Sequence, residues 1–265
     1  MKDQPITRAE LLAALTQVLE EQPFIFAAWE AGSAAFGRAD QWSDIDLMVD
    51  VADDHVDAVF QAVEQRLNSL SPINLIYEIP QPAWHGHHQK FYRLERASEF
   101  LLIDLAVMKH SSTDKFLEIE LHGEPRILFD RAGVVAPPPL DREALAANLV
   151  ARVDTLATTF DLFRILARKE INRGNALDAL VYYQNFTLRP LVELLRIKHI
   201  PERYQFSLRY VNIDLPAKIY TRIERLAFVS NLNDLDQKHQ EAVEWFFEVL
   251  DEVREQGISL SISGD

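Results

Sequence analysis

The sequence predicts an α+β protein: a mixed β-sheet with flanking helices, followed by an all-α helical bundle. Three observations lead there. Short apolar runs with strand character are confined to the first half of the chain. Pro137-Pro138-Pro139 then interrupts any regular element, because three successive prolines can continue neither a helix nor a central strand. Beyond them the apolar spacing is almost wholly helical. We therefore expect two domains, 1–136 and 137–265.

The elements follow in order. Thr7-Arg8-Ala9-Glu10 has the form of a capping box, and Leu11, Leu12, Leu15, Val18 and Leu19 then mark one helical face. Pro23 ends that helix. Phe24–Ala31 (FIFAAWEA) reads as a buried strand, and Asp44–Val49 as a second. Asp53 is the expected cap of a helix whose inner face holds Val56, Val59, Phe60, Val63 and Leu67. Ile73–Ile79 is a strand. Lys90–Arg96 and Glu99–Met108 flank Ala97-Ser98 as a tight hairpin, and Glu124–Asp130 is a last short strand. Helices are expected near 141–171, 175–198, 216–230 and 235–256, with Pro190 kinking the second.

Composition narrows the chemistry. At 265 residues and 48% hydrophobic, the chain can bury a substantial core. It has no cysteine, which excludes disulfides, thiolate metal sites and a cysteine nucleophile. The opening MKDQPITRAE lacks the apolar core of a signal peptide, and no apolar run is long enough to span a bilayer. The expectation is a soluble, cytoplasmic protein without a membrane partner. A net charge of −14 opposes a nucleic-acid backbone, so nucleic acid is an unlikely partner. The charge is uneven. Residues 1–136 carry 11 Lys/Arg against 22 Asp/Glu, whereas residues 160–225 carry 12 against 7. Ordinary surface variation would account for this; so would a metal-binding half that meets a phosphate-binding half.

The acids carry the argument. Alternate strand residues share a face, so Ile45, Leu47 and Val49 form one face while Asp44, Asp46 and Asp50 form the other. Asp44 and Asp46 then stand about 7 Å apart and repel unless a cation lies between them. A solvated acidic face is the alternative. Asp104 lies within an otherwise apolar run, Phe100–Val107, where a lone carboxylate is costly unless paired or metal-bound. A salt bridge to an arginine such as Arg93, or an exposed strand edge, would also explain it. Gly32-Ser33 ends the first strand. Glycine permits close backbone approach, and free N–H groups at such a turn attract phosphate.

Ala31-Gly32-Ser33, a gap of ten residues, Asp44-Ile45-Asp46-Leu47, and then Ile103-Asp104-Leu105 together resemble the nucleotidyltransferase pattern of the DNA polymerase beta superfamily. Ile127–Gly133, Ala167–Gly174 and Leu188–Leu195 are similar, more diffusely, to segments of the aminoglycoside adenylyltransferases of the streptomycin 6-type. The chain is shorter than expected for that group and lacks a tryptophan-rich segment near Thr159-Phe160.

The resemblance implies a catalytic domain over 1–136 and a helical substrate- and nucleotide-binding domain over 137–265. It implies transfer of a nucleoside monophosphate from an NTP, ATP foremost, to a hydroxyl of a small acceptor such as an aminoglycoside-like cation. Asp44 and Asp46 would bind two Mg²⁺ ions, and Asp104 would serve as general base or third metal ligand. Gly32 and Ser33 would hold phosphate. Read from position instead, Lys169 and Arg173 are four apart on one helix face and serve either as phosphate contacts or in salt bridges to Asp or Glu, and Arg38, close to the Gly-Ser turn, is a further candidate phosphate contact. Three rivals fit the same pattern: a nucleotidyltransferase that modifies a protein or, against the −14 charge, a nucleic acid; a non-catalytic antitoxin-like module; and a degenerate binding protein, against which the intact carboxylates argue. The ribonuclease partners of such modules carry an Arg-x(4–6)-His motif, which residues 141–265 lack.

Other motifs carry weaker readings. His85, His87 and His88 could form a zinc site but show no fourth ligand nearby. Tyr182-Tyr183 could stack on a base, although aromatic pairs at helical spacing are usually core.

Overall fold

The computed structural model describes residues 5–256 and divides into two compact units, up to Leu140 and from Asp141 onward. The first unit is built on a six-stranded mixed sheet with flanking helices; the second is helical.

Thr7 caps α1 (Arg8–Glu20) in a full capping box with Glu10. The chain then forms β1 (Ile25–Glu30), the short α2 (Gly32–Ala35), β2 (Ile45–Val51), α3 (Val56–Leu70), β3 (Ile73–Glu78), β4 (His88–Leu94), β5 (Ile103–Lys109), α4 (Ile119–His122) and β6 (Arg126–Asp130). The sheet order is β3-β4-β5-β2-β1-β6. The β2–β5 pair is parallel, and the other pairs are antiparallel. One face buries Leu47, Val49, Ile103 and Leu105 against Leu11 and Leu15 of α1 and Val59 and Phe60 of α3. The other face carries a smaller core of Ala27, Trp29, Ala106, Met108, Leu117 and Val135. The alternation of the strands therefore sorts the acids of β2 and β5 onto the less covered face.

Two local expectations are corrected, and one acid is found in an unexpected setting. Asp53 does not cap α3: His55 holds the N-cap position, and Asp53 instead accepts a 3.0 Å bond from the Ser111 amide. β4 and β5 are not joined by a tight hairpin at Ala97-Ser98. Their register ends at Tyr92 opposite Ile103, and residues 95–102 leave the sheet because Ala97 pairs with Ile6 and Leu102 with the start of β2. Asp50 shares the face of Asp46 but is fully buried, held by Lys115 and by a 2.7 Å contact to His110.

The second unit begins with α5 (Arg142–Arg173), capped by Asp141 at one end and by left-handed Gly174 at the other. The expected kinked helix is three pieces: α6 (Ala176–Tyr183), a π-helical segment (Gln184–Leu188) and α7 (Arg189–His199). Pro190 therefore sits in the first turn of α7, after a widened turn, where its missing N–H costs least. A 3₁₀ segment (Pro201–Phe206), α8 (Val211–Asp214), α9 (Ala217–Ala227) and α10 (Leu232–Gln256) complete the described residues. Phe160 of α5 stacks on Phe246 of α10 at 3.6 Å between ring centres, amid Leu191, Leu195, Trp245 and Val249. Tyr183 belongs to this core and donates to the Leu226 carbonyl at 2.9 Å.

Arg196 is fully buried in this unit. It donates to the Ser207 carbonyl at 2.7 Å and to the Arg209 carbonyl, and pairs with buried Asp214 at 3.1 Å. Removing one member of such a pair leaves an uncompensated buried charge. Arg196→Met should cost about 3–5 kcal/mol in a urea unfolding experiment. A loss below about 1 kcal/mol would show that the network is dispensable.

Candidate functional site

The site starts from the β2–β5 pairing. In parallel register Asp46 lies directly beside Asp104, and both stand on the face opposite α1 and α3. Adjacent strands run about 4.8 Å apart, so the two carboxylates are immediate neighbours. Asp104 Oδ1 accepts a 2.6 Å hydrogen bond from Gln89 Nε2 on β4. Burial pushes the Asp104 carboxyl up to about 6; Gln89 opposes that shift, and the negative charges of Asp46 and Asp44 add to it.

Asp44 sits one residue before β2. Its Oδ1 accepts from the Leu102 amide at 3.0 Å, and its carbonyl accepts from Arg8 Nε at 3.1 Å and Nη2 at 3.0 Å. Arg8 also pairs with Glu30, a fully buried carboxylate at the end of β1 that Arg126 meets at 3.2 Å from β6. The end of β1 and the beginning of β2 are thus fastened from behind the sheet.

Gly32 follows that fastening. Its φ is +56°, and a Cβ there would fall 1.8 Å from Asp46 Oδ2. Two constraints therefore demand glycine: the left-handed backbone and the carboxylate pressed against it. The Ala31 amide donates to the Asp46 carbonyl at 2.8 Å, which holds turn and strand together. The Ser33 hydroxyl oxygen is buried without a hydrogen-bond partner, an uncommon state for a buried polar atom. Arg38 donates its amide to the Ser33 carbonyl at 2.8 Å and lays its guanidinium over the Phe36 ring.

The first unit thus assembles Gly32, Ser33, Asp46 and Asp104, with Asp44 at the rim. Asp44 does not converge with the other two as a finished ligand set. Among the described residues no three of His, Cys, Asp or Glu stand close enough to hold a metal ion. Like-charge repulsion and the Leu102 amide, which claims one Asp44 oxygen, account for this. The donors present are nonetheless all carboxylate oxygens, and such a set fits a hard cation such as Mg²⁺.

Lys169 and Arg173 lie on α5 in the second unit. Arg173 pairs with Glu170, which also accepts from Asn175 Nδ2 at 2.7 Å, so this arginine secures the end of its own helix. Of the histidines, His87 is buried with neither ring nitrogen bonded, and its ring lies 5.7 Å from that of His85. They form no metal-holding group. Periodicity pointed to neither Arg8, Glu30 nor Gln89. Glu30 did carry a usable signal, since it is an acid at the end of an apolar strand, as Asp104 is an acid within one.

No family model and no curated protein matches this chain. Among solved structures it is similar to the crystal structure of an aminoglycoside 6-adenyltransferase from Bacillus subtilis, at 13% identity over 94% of this chain and 91% of that one, with a TM-score of 0.38. So slight a likeness carries no argument about chemistry. No helix among the described residues is long and apolar enough to cross a membrane.

Two outcomes follow from this geometry. Gly32→Ala should destabilise the chain by roughly 1–2 kcal/mol, and adding Asp46→Ala should recover part of that loss, because the clash is with the Asp46 side chain. Strict additivity in the double-mutant cycle would refute the contact. The second outcome concerns pH. Asp104 binds its proton more tightly in the fold than the ordinary value of 3.8. Its contribution is therefore fully present below about 3.8 and is lost as pH rises through about 6. In chelator, Asp104→Asn should match wild type near pH 4 and exceed it by up to about 3 kcal/mol above pH 7. A stability gap that does not change with pH would contradict this.

Proposed function

We propose that the protein transfers a nucleoside monophosphate from an NTP to a hydroxyl of a small acceptor, releasing pyrophosphate, and that the reaction depends on Mg²⁺. One observation carries the reading: two carboxylates aligned on neighbouring parallel strands, against a glycine turn whose serine hydroxyl is buried and unpartnered.

In this reading Asp46, with the second carboxylate oxygen of Asp44, would hold Mg²⁺. The bound ions neutralise the triphosphate and orient it. Ser33 donates to a phosphate oxygen, supplying the hydroxyl with the partner it lacks. Asp104, with its raised proton affinity, accepts the proton of the acceptor hydroxyl as that oxygen attacks the α-phosphorus. Gln89 fixes the Asp104 carboxylate for that task, and Arg8 fixes the backbone of Asp44. Arg38, Lys169 and Arg173 are further phosphate contacts, ATP is the preferred donor, and the helical unit contributes to substrate binding. The excess of acids in the first unit favours a cationic acceptor of aminoglycoside type, and a cytoplasmic setting supplies NTP and magnesium.

The test is an acceptor screen with each labelled NTP and Mg²⁺, read by pyrophosphate release. Asp104→Asn should lose about 10²–10⁴ in turnover while keeping much of its Mg–NTP affinity, as removal of a general base requires. Asp44→Asn with Asp46→Asn should abolish both. Full activity in either variant would overturn the assignment. Labelling of a purified protein with no small molecule modified would transfer the reading to a protein-modifying enzyme.

A further inference from the structure

A cavity of about 510 Å³ opens within the helical unit, lined by Arg152, Arg189, Glu193, Tyr204, Gln205 and Ser207. Its size is that of an ordinary small-ligand site. Its polarity is specific. The one carboxylate, Glu193, is occupied by both prongs of Arg152, at 2.5 and 2.9 Å. Arg189, one helical turn before Glu193, is exposed, and no ion pair or hydrogen bond engages its guanidinium. Tyr204 accepts from Gln205 Nε2 at 2.9 Å, which leaves its own O–H free to donate. The Ser207 hydroxyl is likewise available. The cavity therefore offers donors and an uncompensated positive charge, with its acceptor already satisfied.

The wall that presents these donors is held under strain. Ser207 has φ +51° and ψ −124°, a region in which glycine alone is comfortable, and Tyr210 is left-handed at φ +59°. Buried Arg196 enforces this shape by gripping the Ser207 and Arg209 carbonyls. Backbone strain of this kind clusters where loops bind ligands.

We propose that this cavity binds a small oxyanion, phosphoryl or carboxylate, with Arg189 as the charged anchor and Tyr204 and Ser207 as neutral donors. All of its lining residues belong to the helical unit.

The experiment uses the full chain carrying Asp46→Asn, in chelator, titrated at constant ionic strength with inorganic phosphate and separately with acetate. Calorimetry and thermal melting provide the readouts. Phosphate, acetate or both should bind and raise the melting temperature, and the anion that binds identifies the head group. Arg189→Gln should weaken binding at least tenfold. Ser207→Gly should weaken it severalfold while raising the melting temperature of the free protein, since glycine relieves the strained backbone. A loss of affinity accompanied by a gain in stability cannot come from misfolding. No binding of either anion, or equal binding by Arg189→Gln, would overturn the proposal.

Discussion

The parallel pairing of β2 with β5 governs the first unit. It is the sheet's parallel contact among antiparallel neighbours, and it places Asp46 level with Asp104. A slip of one residue would turn one acid into the apolar core and bring a leucine or isoleucine onto the polar face. Burial of Ile45, Leu47, Ile103 and Leu105 on the helical side thus sets the position of the acids on the other. The same packing that stabilises the sheet imposes the charge repulsion from which the proposed chemistry would draw.

Around that pairing the chain fixes the backbone more firmly than the side chains. Arg8 clamps the Asp44 carbonyl, Ala31 bonds the Asp46 carbonyl, and Gly32, lacking a Cβ, makes the space that the Asp46 carboxylate occupies. Asp50, four residues further along the same face, shows the contrast. With Lys115 and His110 as partners it is wholly buried, a structural acid on the strand that also carries half-buried Asp46.

Much of this was legible in the sequence because it rests on periodicity. Alternation placed Asp44 and Asp46 opposite Ile45 and Leu47, and an acid in an apolar run marked Asp104. The sheet-then-bundle organisation followed from the change of apolar spacing beyond the triple proline. What escaped depends on neighbours distant in sequence. The Gly32–Asp46 contact, the reach of Gln89 to Asp104 and the Arg8–Glu30 clamp all join separate elements, and no local pattern encodes them. Competition between equivalent local signals explains the errors. Asp53 was a good cap by type, but the Ser111 amide was a nearer donor for it. The distortion expected at Pro190 takes the form of a π-turn just ahead of it, with helical backbone running through Tyr183, Leu188 and Arg189.

The clamp made by Arg8 has a consequence for inheritance of change. Arg8 is the first residue of α1, and its grip on Asp44 depends on the turn that Thr7 and Glu10 start. Mutations, fusions or cleavages just upstream of that turn would alter helix fraying rather than any acid, yet they would reach the rim of the carboxylate site through one guanidinium. The first turn of the N-terminal helix is therefore tied to the rim of the acid site by Arg8, although it contributes no acid of its own.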